Sequence, residues 1–210
     1  MDGIALVSQV GWGHALLFAC AVFYLAWWTV FFRDVDDRPT GALRILGIAC
    51  IVVAAIAGIA AVAVTVVALV QMPMAIPPFF ILAVAVVLYL VLMVGTRWLA
   101  KRSVTTELAL IVGWMALEVS TVNGIASLHA ITGASFIMLA LVLAVAFIVN
   151  VVCYTLYYAL KGRAAFIDGC IPLVIVGIIS GVYSANMING YVWAALEDAR
   201  LARKSQKKAA

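Results

Sequence analysis

The stretch ILGIACIVVAAIAGIAAVAVTVVALVQ, residues 45–71, carries no charge and is built almost wholly of Ala, Val, Ile and Gly. About 20 such residues suffice to cross the hydrocarbon core of a bilayer as an α-helix, so the run reads as one complete span. Pro73, Pro77 and Pro78 close it, because proline cannot continue the helix hydrogen-bond ladder. On the N-terminal side lies a second apolar run, about 11–32, ending in Trp27-Trp28-Thr29-Val30-Phe31-Phe32 and then in the charged loop Arg33 to Arg44. Aromatic residues followed by charge mark the exit of a helix through the headgroup layer. Downstream, further runs cover about 79–96, 107–129, 135–160 and 171–195. The period-two alternation of a membrane barrel is missing, so backbone polar groups must be satisfied within helices. The expected fold is therefore all-α, a polytopic bundle of about six transmembrane helices. It forms a single domain over 1–195, with a basic polar tail at 196–210.

Composition agrees. Of 210 residues, 68% are hydrophobic and 10% charged, against roughly a quarter charged in ordinary soluble domains. That balance excludes soluble and disordered classes, and with them a nucleic-acid partner. The net charge of +4 fits anchoring to an anionic leaflet. Met1 to Val10 contains no Lys or Arg, so the cationic start of a cleavable signal peptide is missing. The four cysteines Cys20, Cys50, Cys153 and Cys170 are scattered singly and read as small apolar fillers.

Basic residues set the expected orientation. Arg33, Arg38 and Arg44, then Arg97, Lys101 and Arg102, then Lys161 and Arg163 occupy the loops after spans one, three and five. The positive-inside rule places those loops in the cytoplasm and the N terminus outside, in what reads as a bacterial cytoplasmic membrane. Arg200, Arg203, Lys204, Lys207 and Lys208 oppose this assignment, since six crossings return the C terminus to the outside. A sixth segment broken around Gly177, Gly181 and Gly190 is the alternative. Two small-residue ridges, Cys50/Ala54/Gly58 and Gly177/Gly181, are expected helix-packing seams, serving either this chain or a second membrane protein or copy.

Glu118 is the central candidate. It lies midway along the fourth run, in Gly113-Trp114-Met115-Ala116-Leu117-Glu118-Val119-Ser120-Thr121-Val122-Asn123. An acid at that depth is costly unless it faces a partner, water or the bundle interior. It marks either a proton- or cation-linked pathway or a packing contact. Amides and hydroxyls on nearby runs are its expected partners: Asn123, Asn150, Tyr154, Tyr183, Asn186 and Asn189, with Trp114 one turn away as a wall. His14, His129, Met72 and Met74 cluster near the predicted external face, where they suit a soft metal or haem, although packing is the preferred reading. Trp27, Trp28, Trp98, Tyr157, Tyr158, Tyr191 and Trp193 read as interfacial anchors.

No Lys or Arg lies inside a span, and no nucleophile elbow, zinc helix or phosphate loop is found, so an enzyme is disfavoured and no cofactor is expected. The leading expectation is a small channel or transporter for protons or a small polar solute, with a polar core around Glu118. A structural or regulatory subunit packing against another membrane protein is the alternative. A membrane-embedded enzyme or a haem- or metal-binding protein comes third.

Overall fold

The computed structural model describes residues 3–33, 39–99, 101, 106–128, 131 and 133–209, with the side chains described up to residue 190. All regular structure among them is helical: α1 (Gly3–Phe32), α2 (Gly41–Gln71), α3 (Pro78–Leu99), α4 (Thr106–Ser127), α5 (Gly133–Leu156), a 3-10 turn (Tyr157–Ala159) and α6 (Arg163–Ala209). Six helices are long and apolar enough to cross a membrane. Local chemistry sets several of the ends. Pro78 opens α3, where its missing N–H costs nothing because the first helical donors have no partner anyway. Gly162 adopts φ +56°, a left-handed conformation that glycine tolerates, and lets the chain turn from the 3-10 segment into α6.

Two elements differ from the sequence expectation. α1 begins at Gly3, because Ile4 to Val10 is apolar enough to extend the run expected from 11. α6 runs unbroken from Arg163 to Ala209, so the backbone shows no break at Gly177, Gly181 or Gly190. It begins eight residues earlier than the span expected from 171 and continues as helix through the expected tail. It also passes through Pro172, which membrane helices accept when neighbouring groups compensate the freed backbone.

The helices form two groups. α1 packs closely along both α2 and α6, whereas α4 packs against α3 and α5. The groups meet where α5 adjoins α6 and where α4 touches α2; α1 and α4 make no extended backbone approach. Small residues make the first group tight. A Cβ on Gly13 would collide with Oγ1 of Thr65, one on Gly47 with the Phe31 ring, and one on Gly58 would lie 3.1 Å from Sγ of Cys20. Gly177 faces Ala21, and Gly181 faces the Phe18 ring. Both small-residue ridges therefore pack against α1 of the same chain.

At the Arg163 end, Trp28 is more than an anchor. Its Nε1–H donates to the Phe166 carbonyl at 3.1 Å, its ring stacks on Phe32 at 4.2 Å and it meets Tyr157 at 5.7 Å. A Cβ on Gly169 would occupy the same space as the indole. α3 lies at the periphery, with Phe79, Phe80, Leu90, Val91 and Trp98 exposed, as befits a lipid-facing helix.

Candidate functional site

The interior between the two groups is where the polar side chains gather. On α4, Trp114, Glu118 and Thr121 recur at helical spacing along one buried stripe, followed by Val122 and Ile125. The facing stripe of α5 holds Leu143, Ala146, Asn150, Cys153 and Tyr154, and that of α6 holds Ile179, Ser180, Tyr183 and Ser184. Trp114, Val122, Leu143, Ala146, Ile179 and Tyr183 form one continuous apolar cluster. The polar members of the three stripes are set into that cluster.

Glu118 and His14 meet at its centre. Oε2 of Glu118 lies 3.1 Å from Nε2 of His14, and both side chains are 0% exposed. A span beginning at 11 puts His14 near the external surface; the structure does not. With α1 starting at Gly3, His14 lies about 16 Å along the helix from that end at 1.5 Å per residue. Glu118, nine residues before the Ser127 terminus of α4, is at similar depth. Nδ1 of His14 lies 2.9 Å from the Val10 carbonyl. A carbonyl only accepts, so Nδ1 carries a proton, and the ring orientation is fixed by its own helix. The Tyr183 ring packs beside the imidazole at 5.3 Å.

With Nδ1 protonated, a neutral imidazole offers only a lone pair at Nε2, which must accept from a protonated Glu118. Otherwise the histidine is an imidazolium and donates to the carboxylate. Either way, the 3.1 Å bond contains one proton, and without it two acceptors would face each other. The pair spans helices that otherwise keep their backbones apart, so this proton joins the two helix groups.

Around the pair, Oε1 of Glu118, Oγ1 of Thr121, Nε1 of Trp114, Oγ of Ser180 and Oη of Tyr183 are buried and have no hydrogen-bond partner among the described protein groups, and farther along the bundle the same holds for Oδ1 of Asn150. An unsatisfied buried polar atom costs about 1–3 kcal/mol, and most proteins avoid them. Four around one buried acid, besides its own free oxygen, make this interior suited to something polar.

Comparison of the chain with protein-family models, with curated proteins and with solved structures finds no match. The functional reading therefore rests on the chain's own geometry.

The other candidates divide. Trp114, Asn150 and Tyr183 are buried in the interior. Tyr154 is buried beside Cys153 on α5 and has interactions of its own. Asn123 is buried but serves the fold: its Nδ2 donates to the Ile76 carbonyl at 2.9 Å and its Oδ1 accepts from the Ile76 N–H at 3.2 Å, clamping the α2–α3 loop. Asn186 is exposed and bonds back to Val182 of its own helix, and Asn189 is exposed as well. Neither reaches Glu118, because both sit on the face of α6 turned away from the core. Met72 is buried among Leu6, Val10, Ala68 and Leu69, with Met74 packed against that cluster. His129 lies outside the described residues. Among the described residues no group of three or more His, Cys, Asp or Glu is placed to hold a metal ion. His14 as the partner of Glu118 was missed by spacing arguments, although the apolar start at Ile4 was the available signal that it lies deep.

Proposed function

We propose that this protein moves protons, alone or coupled to a small polar solute, along the seam between its two helix groups, with the His14–Glu118 pair as the site that holds the proton. The observation carrying this reading is the fully buried 3.1 Å bond between α1 and α4. In the proton-loaded state the bond draws the groups together. Loss of the proton leaves a lone pair facing a carboxylate, removes the attraction and frees the seam to admit water or solute toward Thr121, Ser180, Tyr183 and Asn150. Reloading restores the bond. Proton occupancy and seam opening are thus one equilibrium, as coupled transport requires.

The test is proton flux in proteoliposomes carrying a potassium gradient with valinomycin and an internal pH dye. Wild-type vesicles are expected to exceed empty ones. Glu118→Gln, whose amide can donate to Nε2 but holds no exchangeable acid proton, is expected to lower the rate by about a hundredfold, the scale of a positioned proton-transfer group. Glu118→Gln flux equal to a measurable wild-type rate overturns the reading.

A second reading is favoured by Asn186 and Asn189, two amides on the outward face of α6. Amides hydrogen-bond across helices in membranes, and this face fits a subunit that packs against another membrane protein. Crosslinking from cysteine substituted at 189 in native membranes separates the readings: a discrete hetero-adduct favours the subunit, whereas an uncrosslinked chain with flux favours the transporter.

A further inference from the structure

A second acid is buried in this bundle. Asp168 lies on the first turns of α6, 8% exposed, and shares a side-chain hydrogen bond with Cys153 of α5. Three features make its position unusual. Pro172 stands four residues on and has no N–H, so the Asp168 carbonyl receives no helical bond and the backbone there is as polar as the side chain. Asp168 is eleven residues before Ile179, three turns plus about 20° at 100° per residue, so its side chain leaves α6 on the face that enters the central cluster. Its α5 partner Cys153 lies on the stripe that carries Asn150 and Ala146 inward. Next to it, Gly169 receives the Trp28 indole, which, with Tyr157, covers this end of the bundle.

We infer that Asp168 is a second proton-carrying site, the outermost carboxyl group of a route from the Arg163 end of the bundle to His14–Glu118. This rests on the proton-transport reading above. Asp168 and Tyr183 are fifteen residues apart on α6, about 22 Å along the axis. Asn150 lies one turn inward from Cys153, and Ser180 one turn from Tyr183. Between them remains about 13 Å of the apolar cluster, with Ile175, Ala146 and Leu143 along it, which a file of water must bridge. In each transfer the Asp168 carboxylic acid gives its proton to that water file and takes another from bulk water at its own end. The file delivers one proton to the deprotonated His14–Glu118 pair. Each donor is restored, and no other reactant is consumed.

The same vesicles test this, with folding checked by gel filtration. Asp168→Asn is expected to lower flux by about tenfold or more, and Asp168→Glu to retain most of it. Azide, a small weak acid that shuttles protons through apolar barriers, is expected to restore Asp168→Asn but not Glu118→Gln, with empty vesicles as the background. Wild-type flux in Asp168→Asn overturns the inference while leaving the central site intact, as does an equal fall in Asp168→Asn and Asp168→Glu or a failure of azide to discriminate. Absence of wild-type flux overturns both proposals.

Discussion

At the residue scale, the energetics of the His14–Glu118 pair depend on what replaces the acid. Removing one member of a buried hydrogen-bonded charge pair leaves the other unpaired, at about 3–5 kcal/mol. Glu118→Ala is therefore expected to lower the melting temperature in detergent sharply, and Glu118→Gln much less, since its amide can still donate to Nε2 of His14. Adding His14→Ala to Glu118→Ala should recover part of the loss, because the double variant no longer strands a polar ring. Additive losses would mean the 3.1 Å contact carries no coupling. Glu118 itself was legible from sequence, as an acid in the middle of an apolar run. Its partner was not, because pairing depends on the relative depth of two helices far apart in the chain, and that depth turned on whether α1 starts at 3 or at 11. Asn186 and Asn189 fail for a related reason: the polar content of α6 was plain, but its rotation about its own axis is set by Gly177 and Gly181 seating on α1.

At the scale of elements, glycine positions separate contacts that hold the bundle from those that do not. Gly13→Ala places a methyl where Oγ1 of Thr65 sits, and overpacking of this kind costs about 1–3 kcal/mol. Thr65→Ala in the same chain should relieve most of it. Gly113, with open space around its Cβ position, is the control: Gly113→Ala should be neutral or stabilising by up to about 1 kcal/mol through helix propensity. Melting curves of the three variants decide the matter, and equal effects at positions 13 and 113 would refute close packing of α1 on α2. The α2–α3 loop offers a separate test. Asn123→Ala removes both bonds to Ile76, a loss of about 1–3 kcal/mol in local stability. Faster amide exchange at Ile76 with unchanged exchange in α5 is the expected signature. The small-residue ridges were visible as patterns in the sequence. Their assignment to α1 needed tertiary structure, because a ridge specifies close approach without specifying the neighbour.

At the scale of the molecule, the run of residues 45–71 and its five counterparts made the helical membrane fold legible from hydropathy alone, since a bilayer leaves so few backbone solutions. Orientation is a harder matter, because it is decided by small differences in charge. Eight basic residues in or beside the connections after the first, third and fifth helices favour one sense, and five in the C-terminal part of α6 favour the other. An unbroken α6 constrains the outcome: with six helices long enough to cross, an even number of crossings returns both chain ends to one side. Single cysteines in place of Asp2 and Ser205, in a chain lacking its native cysteines, are expected to react alike with a membrane-impermeant maleimide added to right-side-out vesicles. One labelled and one protected would mean that a helix does not cross. Were α4 or α5 that helix, the Asp168 end of α6 and the loop after α3 would lie on opposite faces, and the shared helix depth on which proton transfer between Asp168 and Glu118 depends would be lost.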